Sequence, residues 1–167
     1  MAGGTMNYMV LIKFLYLADR EALIRWGSPI TGDRYFSMYY GPVLSRTHDL
    51  ITEMPSPAED GFWFSHIQRT GNDIMLTNNP GDEQLSEADD ALLVEIFEKY
   101  SQYRFDPFGF VDYLHGILPE WKPVERGERS TLEYHDILVA GGKSIEEMKQ
   151  IESELKSLGW VQTFLKA

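Results

Sequence analysis

The stretch Phe14–Ile51, FLYLADREALIRWGSPITGDRYFSMYYGPVLSRTHDLI, decides how this chain is read. It joins a dense apolar helix, a Gly/Pro-punctuated turn, a tyrosine-rich extended segment and a Gly-Pro start to a second helix. The first helix is predicted from Asn7 to about Trp26. Between Met9 and Ala18 the only charge is Lys13, and a helix apolar all round is a buried one. After Asp19 the pattern turns amphipathic, with Asp19, Arg20, Glu21 and Arg25 alternating with Ala22, Leu23, Ile24 and Trp26. Gly27 suits a left-handed helix cap, and Pro29 prevents the helix from resuming.

Pro29–Asp33 is a turn sequence, and Arg34–Tyr40 is rich in strand formers and reads as extended. Gly41 breaks it. Pro42 suits the first position of a helix, where its missing N–H costs nothing, and that helix is predicted to run to about Met54. Pro55, Pro57 and Gly61 mark a surface loop. Phe62–Arg69 and Asp73–Thr77 flank Thr70-Gly71-Asn72, a β-hairpin pattern.

Four helices are predicted beyond this hairpin. Ser86 with Asp89 is a capping box, Asp106 caps a helix entered at Pro107, and Ser130 with Glu133 and Ser144 with Glu147 repeat the box. Gly141-Gly142 ends the third of these helices and Gly159 the last. The tail Trp160–Leu165 is apolar enough to dock. The expectation is one compact α+β domain over residues 1–167, mainly helical, with about six helices and one small β-hairpin.

A chain of 167 residues buries about 70% of its unfolded surface without staples. It has no cysteine, so disulfides, thiolate metal sites and a Cys nucleophile are excluded. A cytoplasmic location is expected, with no secretory leader, because Met1–Thr5 has no basic region. No apolar run reaches the roughly 18 residues of a membrane span. The formal net charge is −11, and from Gly81 onward 18 Asp/Glu face 9 Lys/Arg. Such a chain repels phosphate backbones at long range and attracts basic proteins, so no direct nucleic-acid binding is expected.

No motif announces catalysis. The histidines His48, His66, His115 and His135 fit no metal-ligand spacing, and no cofactor or metal is expected. Gly142-Lys143-Ser144 copies the end of a phosphate-binding loop, but the first glycine of that motif is replaced by Ile137. Ser45 and His48 can touch on a helix but have no orienting acid. The aromatics Tyr35, Phe36, Tyr39, Tyr40, Phe62, Trp63, Phe64, Trp121 and Trp160 say more, because Tyr and Trp dominate interface hot spots.

Leu15-Tyr16-Leu17-Ala18-Asp19-Arg20, then Gly27, Pro29–Arg34, Tyr40–Val43 and Ser45, resembles the signature of the Panacea domain, a SocA-like antitoxin family. Trp121 after Pro119-Glu120, Asp136-Ile137-Leu138 and Ser144–Glu147 extend the match. The resemblance implies a bacterial antitoxin of a type II-like toxin–antitoxin pair, which neutralises a cognate toxin protein by direct binding. One family branch resembles an adaptor that delivers its toxin to the ClpXP protease, and other members lie beside phage genes. From a different class stands a small hydrolase using His48 or His135 with nearby carboxylates. The chain is expected not to be an enzyme.

The partner-binding residues expected on this basis are Asp19, Arg20, Asp33, Arg34, Tyr35, Tyr39, Tyr40, Gly41, Pro42 and Trp121. Asp19 and Arg20 are expected to pair with the Asp33 turn. The backbone N–H groups at a helix start on Pro42 are expected to accept an acidic side chain of the partner.

Overall fold

Residue Lys13 is the reason the fold cannot be read as a simple amphipathic bundle: it sits in the first half of a helix that has a hydrophobic core on two sides. The computed structural model describes residues 4–54 and 56–158. The readings placed on Pro55, Gly159 and Trp160–Leu165 lie outside the described residues. Strand β1 (Thr5–Asn7) leads directly into α1 (Tyr8–Trp26). The Asn7 side chain caps α1 by accepting from the Met9 N–H, and Gly27 closes it at φ 77°. A Cβ on Gly27 would lie 3.0 Å from Ile151, so both the dihedral and the packing call for glycine.

Val10, Phe14, Leu17 and Ala18 of α1 join the main core, while Ile12 joins a second cluster with Val43, Ile51 and Ile74. Two cores explain why the first half of α1 has no polar face.

The turn after α1 feeds β2 (Tyr35–Met38), which pairs antiparallel with β3 (Gly41–Leu44). The extended reading of Arg34–Tyr40 holds for Tyr35–Met38, while Tyr39 and Tyr40 form the turn. Pro42 does not open a helix. It is in β3 opposite Ser37, on an edge strand, where a residue without an N–H is tolerated. Helix α2 (Ser45–Glu53) starts three residues later than Pro42 led one to expect.

Phe62–His66 is not a strand either. Gly61–His66 forms α3, capped by Asp60, whose carboxylate accepts from the Trp63 N–H. The hairpin that follows is β4 (Ile67–Thr70) and β5 (Asp73–Leu76), turning at Gly71 as predicted, and β1 adds to it to give the order β1-β5-β4.

Helix α4 (Glu87–Lys99) carries the Ser86/Asp89 capping box, and α5 (Pro107–Ile117) carries the Asp106 cap. Ser130 opens no helix. Arg129–Leu132 is β6, the partner of β2 on the side opposite β3, in a sheet of order β3-β2-β6. The capping box moves to Glu133 with Asp136, at the start of α6 (Tyr134–Ala140). Helix α7 (Ile145–Ser157) begins at the predicted Ser144/Glu147 box and buries Ile151 and Leu155. The α+β, mainly helical class stands, with two small three-stranded sheets around α1.

Candidate functional site

Strand β2 separates two clusters of polar and aromatic residues. At its N-terminal end lie Asp19, Asp33, Arg34 and Tyr35. Asp19 is fully buried. Its carboxylate accepts from the backbone N–H groups of Ile30 and Thr31, both at 2.9 Å, from the Thr31 hydroxyl, and from the Tyr35 hydroxyl at 3.0 Å. Asp19 therefore pairs with the turn, as expected, but from inside the protein. Burial pushes the Tyr35 hydroxyl pKa well above its ordinary value, and the Asp19 charge adds to this.

Arg20 does not join that turn. Its guanidinium donates to Glu120 at 2.6 and 3.3 Å, and the Tyr16 hydroxyl donates to the same carboxylate at 2.8 Å. Glu120 is buried, so this trio locks α1 to the segment that follows α5.

Asp33 lies across the start of α2. Its carboxylate accepts from the N–H groups of Arg46 and Thr47, both at 2.9 Å, and from the Thr47 hydroxyl at 3.0 Å. The helix start expected to receive a partner's acid is thus at Ser45 rather than Pro42, and the chain's own Asp33 already fills it. Arg34 is exposed at the same end.

At the C-terminal end of β2 the tip of the β2–β3 hairpin carries Tyr39 and Tyr40. Met38 pairs with Gly41, so these two tyrosines are the whole turn. Gly41 takes φ 93°, a conformation other residues rarely adopt. Tyr39 and Tyr40 meet edge to face at 5.0 Å, and Tyr40 meets Phe108 of α5 at 5.9 Å. Tyr39 is 47% and Phe108 59% exposed, so the three rings form a ridge open to solvent.

The ridge stands on a rigid base. The Trp121 indole N–H donates to the Met38 carbonyl at 3.1 Å, and the His115 ring lies flat on Trp121 at 3.7 Å. Beneath the tip, Lys13 is 1% exposed, and its ammonium donates to the Pro42 carbonyl at 2.7 Å. Burial lowers its pKa from 10.5 to about 7. His115 is also lowered, by burial first and by the Lys13 charge second. Beside them is a cavity of about 170 Å³ lined by Lys13, Tyr8, Tyr39, Tyr40, His48 and Arg126, among others.

Of the ten expected residues, Tyr39, Tyr40, Gly41, Pro42 and Trp121 gather at this tip. Asp19, Asp33, Arg34 and Tyr35 lie at the far end of β2, and Arg20 is held instead by Glu120, the residue before Trp121. The family model described as "Antitoxin SocA-like, Panacea domain" matches residues 11–122. The chain belongs to this family of SocA-like antitoxin Panacea domains. No curated protein and no solved structure is similar enough to the chain to match it. The matched region of this Panacea domain contains both ends of β2, the Arg20–Glu120 lock and Trp121, and leaves out β6, α6 and α7.

Phe108 and Lys13 are the site residues that the sequence reading passed over. Lys13 had a visible signal, the lone charge in the otherwise apolar first half of its helix. Phe108 had none, because its place at the tip follows from how α5 packs. As for catalytic groups, His48 lines the cavity with one acid, Glu128, and its ring is 3.4 Å from Asp49. His135 is exposed on α6, away from that cavity. Among the described residues no group of three His, Cys, Asp or Glu could hold a metal, and no helix is long and apolar enough to cross a membrane.

Proposed function

We propose that this Panacea domain is an antitoxin that binds a toxin protein stoichiometrically and masks it, with no turnover. The observation that carries this reading is the exposed ring ridge Tyr39–Tyr40–Phe108 on a braced hairpin. Large amphipathic rings bury much area for little lost rotamer freedom, and they supply most interface hot spots. A two-residue turn fixed by Gly41 and by the Trp121–Met38 hydrogen bond leaves little ordering to be done on binding. The net charge of −11 favours a basic partner and speeds its approach.

The test is co-expression with the product of the neighbouring gene. Rescue of growth together with co-purification is the expected result. Loss of neither toxicity nor free partner would remove the reading. Rescue that occurs only when a ClpXP-type protease is present would replace masking by proteolytic delivery.

A further inference from the structure

The cavity under the hairpin tip holds a buried amine, Lys13, in a chain that is strongly acidic overall, and His115 lies next to that amine without lining the cavity. An ammonium has three N–H donors. Lys13 gives one to the Pro42 carbonyl, and no other partner for it exists among the described residues. Nε2 of His115 is buried with no hydrogen-bond partner among the described residues. Both nitrogens crowd the open face of Gly41. A Cβ there would lie 3.2 Å from Lys13 Nζ and 3.5 Å from His115 Nε2. Arg126 and Glu128 stand in the cavity wall and offset each other in charge.

We propose that this cavity receives one carboxylate carried by the partner protein, with the Lys13 ammonium as its counter-charge. This rests on the protein-binding reading above and adds the chemistry of the contact. Tyr39 and Tyr40 belong both to the ridge and to the cavity wall, so whatever seats on the ridge covers the cavity mouth. The size fits: about 170 Å³ is slightly more than the roughly 150 Å³ that holds benzene, and a glutamate side chain has a comparable number of heavy atoms. The charge fits too. One unopposed cation takes one negative charge, and a phosphate dianion would leave charge unpaired in a chain of net −11.

Seating a carboxylate beside a lysine that releases its proton near pH 7 requires the amine to take that proton back from solvent. Binding is therefore strongest below pH 7 and weakens as pH rises above it. The other titratable or charged groups around Lys13 are Tyr8, Tyr39, Tyr40, His48, His115, Arg126 and Glu128, with Asp112 acting on His115.

The experiment follows the Lys13 side-chain NMR signal in the full chain. One arm adds N-acetylglutamate α-amide, which carries a side-chain carboxylate. A second adds N-acetylalanine, which carries a terminal one, and a third adds the neutral N-acetylglutamine amide. A saturable shift with one of the two carboxylates and a rise in the Lys13 pKa are expected, with no response to the amide. The arm that saturates identifies the source of the carboxylate. No saturable response to either acid overturns the proposal, and this wild-type titration decides even if Lys13→Met does not fold. Where Lys13→Met folds, it is expected to weaken binding of the co-purified partner at least about tenfold. A partner held equally by both proteins overturns the cavity proposal and leaves the antitoxin reading intact. A wild-type chain that captures no partner overturns the antitoxin reading, while the titration still decides the cavity.

Discussion

The hydroxyl of Tyr35 donates to the carboxylate of Asp19 at 3.0 Å, and both residues are fully buried. This bond joins α1 to β2 and completes a set that also holds Ile30 and Thr31. Tyr35 in turn packs edge to face on Tyr16 at 5.5 Å. The turn between helix and sheet is therefore ordered from inside by one side chain.

Asp19→Ala leaves two backbone N–H groups and two hydroxyls without their acceptor. At about 1–3 kcal/mol for each buried group left unsatisfied, partly relieved by water, a loss of at least about 3 kcal/mol is expected. Tyr35→Phe removes a single bond and should cost about 1 kcal/mol. Urea denaturation of the three proteins measures this. Equal losses for both variants would show that Asp19 does not organise the turn.

The second lock predicts a non-additive pair. Arg20 and Glu120 have side-chain exposures of 16% and 0%. Glu120→Ala strands the guanidinium and the Tyr16 hydroxyl and should cost about 3–5 kcal/mol, as breaking a buried ion pair does. Glu120→Gln with Arg20→Met removes the ion pair together and keeps an acceptor for Tyr16. The double variant should therefore be more stable than Glu120→Ala alone. Thermal melts of the double and single variants test the order.

The legible parts of the sequence were those decided locally. The Ser86/Asp89 and Ser144/Glu147 boxes formed where their spacing put them, and Gly27 capped α1, because each needs only residues within one turn. Pro42 and Ser130 misled for a common reason. Both carry helix-start chemistry, yet both lie in strands paired to β2, through the partners Ser37↔Pro42 and Ser37↔Ser130. For Ser130 that pairing spans a long sequence separation and leaves no local trace; for Pro42 it is a tight hairpin whose Tyr39-Tyr40 turn lacks the Asn-Gly or Asp-Gly signal that marks such turns. Phe62–Phe64 misled in the opposite direction, since the Asp60 cap outweighed the strand preference of three aromatics. At the site, Tyr39 and Tyr40 were legible as ring-rich sequence. Which rings face outward was not, because Tyr35, four residues earlier, has the same chemistry and is fully buried.

Lys13 gives the stability a defined pH dependence. Its pKa is 10.5 in the ordinary state and about 7 in the folded protein, lowered by burial. Below pH 7 both states hold the proton. Between about pH 7 and 10.5 the unfolded chain keeps a proton that the folded protein has released, so stability rises with pH in that window. The slope contributed approaches about 1.4 kcal/mol per pH unit. Lys13→Met should flatten the rise between pH 7 and 9 and add stability at pH 6. Denaturation curves across that range are the measurement, and an unchanged slope in Lys13→Met would show that Lys13 stays protonated.

The two ends of β2 should separate in a binding assay. Tyr39→Ala and Phe108→Ala remove exposed rings from the ridge, and neither side chain makes a hydrogen bond among the described residues. Each should leave the melting temperature within a few degrees of wild type and weaken the co-purified partner by about 2 kcal/mol, roughly thirtyfold. Charge reversal at Asp33 should do the reverse. It removes the carboxylate that caps Arg46 and Thr47, so it lowers stability by about 1–2 kcal/mol. Its effect on binding, corrected for the folded fraction, should be small, because that carboxylate is already committed to α2. Calorimetric melts and titration of the purified partner against each variant give both numbers. If Asp33 reversal abolished binding in folded protein while Tyr39→Ala and Phe108→Ala did not, the contact surface would lie at the Thr31–Arg34 end of β2 instead of at the hairpin tip.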